Sequence, residues 1–169
     1  QIMESLYNGT ADLTISFPVC QEGVQSVPIY HETFVVVVPN NIFDAYFTTE
    51  QQAKMLSAPS LPIEVFRNCP FLAYSQATWL KEIFENCCSI AGIKPKIVME
   101  TSNLMTRSAL CFSGTGIMFA AQSIFQEKLN IINQAQMEKV KIFKIQGVNY
   151  GSDISINFLN RRYRSEASK

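Results

Sequence analysis

The chain has 169 residues, of which 47% are hydrophobic and 17% are charged. This composition is typical of a folded globular domain and excludes a disordered chain. The 14 basic residues balance the 14 acidic residues, which argues against an extensive nucleic-acid-binding surface on this chain. No uninterrupted apolar run is longer than that of Phe34 to Val38, which is far too short to span a bilayer.

The charges are unevenly distributed along the chain. Residues 1–66 carry seven acids and one base, whereas residues 67–169 carry thirteen bases and seven acids. Two interpretations stay open for this asymmetry. The two parts of one fold attract each other or face different solvent regions, or a basic face meets an anion or an acidic partner.

The five cysteines include no Cys-x-x-Cys pair, and the sole histidine, His31, has no second histidine with which to share a metal ion. An odd number of cysteines without paired spacing predicts reduced thiols and a cytosolic chain. We therefore expect no metal site and no cofactor held by these residues.

Four elements are predicted in the first part of the chain. They are a helix over residues 1–8, a strand over 12–17, a strand over 33–38 and a helix over 44–57 that is capped by Thr48 or Thr49. The strand TFVVVV does not alternate polar and apolar residues, so both of its faces should be buried.

Strands and helices alternate between residues 70 and 128. Strands are predicted over 70–74, 96–100 and 117–120. Helices are predicted over 75–91, from a cap among Thr101, Ser102 and Asn103 through Phe112, and over 122–128. This order predicts parallel strands joined by crossover helices, and such sheets bind ligands at the carboxyl ends of their strands. Two further strands are predicted over 140–145 and 154–159, and Ser165 is predicted to cap a last helix.

Two hydroxyl-rich segments follow neighbouring strands at the predicted helix starts. They contain Ser75, Gln76 and Thr78 in the first case, and Thr101 and Ser102 in the second. The free N–H groups of a helix start favour an anion, and two such starts on one parallel sheet would converge on one spot. The alternative is that each segment only caps its helix.

No catalytic set is visible in the sequence. Ser75 lies in no Gly-x-Ser-x-Gly motif, and Cys111 is predicted to be a core residue of its helix. Gly114-Thr115-Gly116 lacks the third glycine of a dinucleotide-binding loop and precedes a strand, so we expect it to form a tight turn. We therefore expect a binding domain and not an enzyme.

Several segments, taken in order, resemble the effector-binding domain of the LysR-type transcriptional regulators. The matching segments are Leu6 to Ile15, Val27 to Pro39, Pro70-Phe71-Leu72, Ala91 to Pro95, Glu100-Thr101 and Gly114 to Ile117. In this comparison Val27 to Pro39 corresponds to a strand that crosses between two lobes.

The resemblance implies an α/β fold of the type II periplasmic-binding-protein kind, with two lobes joined by two crossing strands and a small molecule bound between them. Lobe one would comprise residues 1–33 and 143–169 and would be incomplete, and lobe two would comprise residues 34–142. The family's DNA-binding winged helix–turn–helix would lie outside this chain. Cytoplasmic location, homodimers or homotetramers, and no cofactor or membrane contact are also implied.

The expected function is therefore to sense a small-molecule effector by a shift between conformations. The hydroxyl-rich helix starts predict that this effector is anionic. The effector-binding candidates are Ser16, Phe17, Ser75, Gln76, Thr78, Thr101, Ser102 and Phe119. The alternatives are a solute-binding receptor of a transporter and the regulatory domain of a metabolic enzyme, both built on the same fold.

Overall fold

The computed structural model describes residues 2–76, 78–123, 137–148 and 153–160. The helices of these residues are α1 (Ile2–Asn8), α2 (Asn40–Tyr46), α3 (Thr49–Ser57), a short 3₁₀ helix (Ile63–Phe66), α4 (Trp79–Ile90) and α5 (Leu104–Phe112). The strands are β1 (Thr14–Ser16), β2 (Val24–His31), β3 (Phe34–Pro39), β4 (Pro70–Ala73), β5 (Lys96–Glu100), β6 (Ile117–Ala121), β7 (Val140–Lys144) and β8 (Asp153–Leu159).

The chain divides into two compact units, one built from residues 1–32 and 149–169 and the other from residues 33–148. The sequence prediction placed the second boundary between residues 142 and 143, which lies inside β7. This strand pairs along its whole length with β3, so all of β7 belongs to the second unit.

The first unit contains a three-stranded antiparallel sheet in the order β1-β8-β2. Helix α1 packs against β1 and β8, and its Leu6 side chain is buried. The resemblance likens residues 27–39 to a strand that crosses between two lobes. The chain forms two strands there, because β2 pairs with β8 in this sheet while β3 pairs with β6 and β7 in the other.

The second unit contains a five-stranded mixed sheet in the order β5-β4-β6-β3-β7. Strand β4 runs parallel to both β5 and β6, as the alternation of strands and helices predicts. Strand β3 runs antiparallel to both of its neighbours, β6 and β7.

Strand β3 is buried on both faces, which confirms the prediction from its continuous apolar sequence. Val36 and Val38 belong to the larger apolar cluster, which includes the buried faces of α2, α3 and α4. Val35 and Val37 belong to a second cluster, which includes Cys111 of α5. The sheet is therefore covered by helices on both sides.

The predicted cap at Thr48 is confirmed, but the predicted helix over residues 44–57 is too long, because the chain forms two helices, α2 and α3, in this region. Thr48 caps α3: its hydroxyl accepts a hydrogen bond from the Gln51 N–H, and the Gln51 side chain accepts one from the Thr48 N–H. This reciprocal capping box requires extended backbone at Thr48, which ends the preceding helix.

The buried thiols are expected to resist alkylation in the folded chain. Burial raises the pKa values of Cys69, Cys88 and Cys111 to about 12, so at pH 8 these groups stay protonated and lack the reactive thiolate. Cys20 is exposed, and burial also raises the pKa of half-buried Cys87. A pulse of iodoacetamide followed by mass spectrometry should modify Cys20 first in the native chain and all five cysteines after denaturation. Rapid native modification of Cys111 would contradict the packing described here.

Within the described residues, no helix is both long enough and apolar enough to cross a membrane. The predicted helix over residues 122–128 lies largely outside the described residues, as does the predicted cap at Ser165.

Candidate functional site

The carboxyl ends of β4 and β5 lie side by side in the parallel part of the sheet. Ala73 is paired with Glu100, and the N–H of Thr101 donates a hydrogen bond of 3.1 Å to the Ala73 carbonyl. The segments that follow the two strands therefore leave the sheet at the same edge. Most of the residues predicted to bind an effector lie in these two segments.

The first segment differs from its prediction because α4 begins at Trp79 and not near Ser75. The hydroxyl of Thr78 accepts a hydrogen bond of 3.3 Å from the Lys81 N–H and so caps the helix. Ser75 and Gln76 precede this cap and are exposed. Their exposed side chains lie at the end of the strand. The free N–H groups at the start of α4 belong to later residues, since the helix begins at Trp79.

The second segment starts its helix as predicted. Asn103 caps α5 by accepting a hydrogen bond of 3.0 Å from the Thr106 N–H, and the Thr101 hydroxyl accepts one of 3.2 Å from the Asn103 N–H. Thr101 is half-buried, whereas Ser102 is exposed.

Phe119 lies in the core of the second unit, with only 1% of its surface exposed. Its ring stacks on the ring of Phe34, with 5.5 Å between the ring centres. The centre of the Phe84 ring also lies 5.5 Å from the centre of the Phe119 ring. The ring therefore offers almost no surface to a ligand in this conformation. Phe119 would affect the shape of a site through the residues that pack against it.

Ser16 and Phe17 lie in the first unit, at the end of β1. The side-chain amide of Asn157, which is fully buried, donates hydrogen bonds to the Ser16 hydroxyl at 2.9 Å and to the Phe17 carbonyl at 3.2 Å. Asn157 thus holds this turn, and both candidates are half-buried.

The sequence predictions missed a buried arginine beside these strand ends. Arg107 lies in α5 with 1% of its surface exposed, and its guanidinium carbon lies 3.5 Å from the centre of the Tyr74 ring. Its Nη1 donates a hydrogen bond of 3.2 Å to the Thr101 carbonyl. A signal existed in the sequence, because Arg107 is spaced three residues after Leu104 and four before Cys111, on the face of α5 that should be apolar.

Tyr74 connects this arginine to the core. Its hydroxyl donates a hydrogen bond of 3.1 Å to the Phe119 carbonyl. Burial raises the pKa of Tyr74 to about 12, and the nearby positive charge of Arg107 partly opposes this rise. Burial also lowers the pKa of Arg107, although an arginine still carries its charge at neutral pH.

A separate cavity of about 270 Å³ lies elsewhere in the second unit, between residues 55–61 and 141–144. None of the predicted effector-binding residues lines it. Among the described residues, no group of three or more histidine, cysteine or acidic side chains is arranged to hold a metal ion.

The sequence pattern of the family described as "LysR substrate binding domain" matches residues 1–167. The chain belongs to this family. A relative is the uncharacterized HTH-type transcriptional regulator YcgK of Bacillus subtilis (strain 168), which is 26% identical over 129 residues. That match covers 71% of this chain and 40% of the relative, so the matched part spans less than half of the regulator's length.

Two solved structures of regulatory domains share the fold. The effector-binding domain of QuiR in complex with shikimate has a TM-score of 0.64 and 19% identity, and the match covers 99% of this chain and 71% of that one. The regulatory domain of CcmR from Synechocystis PCC6803, in complex with 2-PG, has a TM-score of 0.67 and 14% identity, with 99% and 73% covered. The α/β, type II periplasmic-binding-protein-like fold predicted from the LysR resemblance is thereby confirmed.

Proposed function

We propose that this LysR-type domain senses a small-molecule effector for a transcription regulator and that the effector binds at the carboxyl ends of β4 and β5. One observation carries the proposal: two paired parallel strands end at the same sheet edge, and each is followed by a polar segment that leads into a capped helix. Open α/β sheets bind ligands at this edge. Membership of the LysR family supports the assignment.

The proposed contacts in the second unit come from the side chains of the two segments after the strands. They are Ser75, Gln76, Thr78, Thr101 and Ser102, with Phe119 supporting the site from the core. Ser16 and Phe17 stay predictions from the sequence for the first unit, in which Asn157 holds the turn that they form. Hydroxyl and amide groups of this kind orient a polar ligand by hydrogen bonds.

The proposed mechanism is a shift between conformations of the regulator. An effector changes this equilibrium only by its different affinity for the two states, and the same coupling free energy then appears in DNA binding. We assign the contact with DNA to a part of the regulator outside this chain, since the match to the relative from Bacillus subtilis covers only 40% of that regulator. Homo-oligomerisation and a cytoplasmic location are part of the proposal.

The two alternatives are not favoured. A transporter receptor or the regulatory domain of a metabolic enzyme would use the same fold, but the match to the LysR family and the relative that is an HTH-type regulator favour a transcription regulator.

A thermal-shift screen of organic acids, amino acids and sugars against this chain tests the proposal. At least one compound should raise the melting temperature, and Thr101→Ala or Ser75→Ala should weaken its binding tenfold or more, because a hydrogen bond to a charged group contributes about 1.5–3 kcal/mol. Thr106→Ala is the matched control, because Thr106 is an exposed threonine one turn into α5. A compound that binds both site variants as tightly as the wild type would contradict the site assignment.

A further inference from the structure

Arg107 combines a buried charge with few compensating partners. Its side chain is 1% exposed, and its Nε is buried without a hydrogen-bond partner among the described residues. The described residues also place no carboxylate within 4 Å of its guanidinium group. The partners that the structure does provide are the Thr101 carbonyl and the face of the Tyr74 ring.

The position of Arg107 in α5 adds a second unfavourable contribution. Asn103 is the cap of this helix, and the Arg107 N–H donates to the Asn103 carbonyl in its first turn. The N-terminal end of a helix carries a partial positive charge, so a cation there is repelled. A buried charge is normally paired because its desolvation is costly, and a carbonyl oxygen and an aromatic face offset only part of that cost.

The guanidinium group lies at the edge where the proposed effector site is formed. Tyr74 follows β4 directly and Thr101 follows β5 directly, and Arg107 contacts both residues. Its Nη1 is directed to Thr101. The Nε–H has no hydrogen-bond partner among the described residues, and it lies on the other edge of the guanidinium group, where Nε and Nη2 form a planar fork. That fork matches the two oxygens of a carboxylate.

We propose that Arg107 is the carboxylate-binding residue of this chain and that the effector is a small organic acid. The inference rests on the proposed effector-binding function and deepens it by naming the chemical class of the ligand. Because Arg107 is 1% exposed in this conformation, the carboxylate binds it in a conformation in which this sheet edge is open. The carboxylate then accepts hydrogen bonds from the Nε and Nη2 edge, while Tyr74 and Thr101 hold the guanidinium plane. A bound anion also interacts favourably with the N-terminal end of α5.

Nuclear magnetic resonance of the chain labelled with ¹⁵N-arginine tests this directly. Sodium acetate is titrated at constant ionic strength against sodium chloride, with acetamide as the neutral analogue and inorganic phosphate as the tetrahedral anion. Acetate should produce a saturable shift of the Arg107 Nε–H signal, and acetamide and chloride should not. No saturable shift with acetate, or tighter binding of phosphate than of acetate, would overturn the assignment to a carboxylate.

Arg107→Lys retains the charge but removes the planar fork, so it should weaken acetate binding at least tenfold. Arg67→Lys is the matched control, because Arg67 is exposed and donates through Nε to the Glu64 carbonyl. Its substitution should leave acetate binding unchanged. The titration of the wild-type chain needs no variant, so the proposal stays testable if Arg107→Lys is poorly folded.

The result separates this inference from the proposed function. An effector whose binding requires Thr101 or Ser75 but is unchanged in Arg107→Lys would overturn the carboxylate assignment and leave effector sensing intact. A saturable acetate shift at Arg107, together with a screen in which no compound stabilises the chain, would support the carboxylate subsite and count against effector sensing.

Discussion

Replacing Phe119 with alanine should lower the free energy of unfolding by about 3–5 kcal/mol, the usual cost of truncating a buried phenylalanine. The ring is 1% exposed and contacts the rings of Phe34 and Phe84, so alanine leaves a cavity that these neighbours fill only in part. The loss is a large fraction of the stability of an ordinary domain, which is about 5–15 kcal/mol.

Urea denaturation followed by circular dichroism measures this difference. Tyr46→Ala is the control, because Tyr46 is another aromatic residue but is 42% exposed at the end of α2. Its loss should cost much less than that of Phe119. Phe119→Leu retains most of the apolar volume and should lie between the two. If Phe119→Ala were as stable as Tyr46→Ala, the buried position of Phe119 would be wrong.

Replacing Gly114 with alanine should lower the free energy of unfolding by about 1.5–3.5 kcal/mol, because two costs add. The backbone of Gly114 has φ +86°, a conformation that costs a residue with a Cβ roughly 1–2 kcal/mol. The added Cβ would also lie 2.6 Å from the side-chain amide atoms of Asn41, and moving this exposed side chain out of its present rotamer costs about 0.5–1.5 kcal/mol.

Two variants separate these costs, again by denaturation. Gly92→Ala meets only the backbone cost, since Gly92 has φ +61° and no atom within 4 Å of the added Cβ. Asn41→Ala in the Gly114→Ala background removes the crowding, although it also removes the hydrogen bond of 3.1 Å from the Asn41 amide to the Gly114 carbonyl. Equal losses for Gly92→Ala and Gly114→Ala would show that Asn41 does not restrict this turn.

The helix starts show where local sequence is sufficient and where it is ambiguous. Asn103 caps α5 as expected, because a cap needs only its own helix. Before α4, both Ser75 and Thr78 are suitable capping residues, and Thr78 is the one that bonds to the first turn. The predicted helix over residues 44–57 has the same ambiguity. At Thr48 the chain could continue one helix or cap a new one, and the capping box forms.

The candidate site was predicted in part for a related reason. Ser75 and Thr101 are predicted as contacts because they follow strands. The alternation of strands and helices along the chain predicts that these strands are parallel. Arg107 was missed, since its spacing marks an apolar helix face but its charge suggests solvent. Its actual partners, the Tyr74 ring and the Thr101 carbonyl, are brought to it only by the pairing of β4 with β5.

The sequence by itself determined the strands other than β2, most of the helices, the parallel order of β5, β4 and β6 and the LysR family of the domain, because these depend on patterns along short segments and on their order. The tertiary structure alone decided that Phe119 lies in the core and that Arg107 is a buried cation. Burial depends on which distant segments pack together: Phe34 covers Phe119, and Tyr74 covers Arg107. Such contacts leave no periodic pattern along the chain, so only the assembled sheet and its helices reveal them.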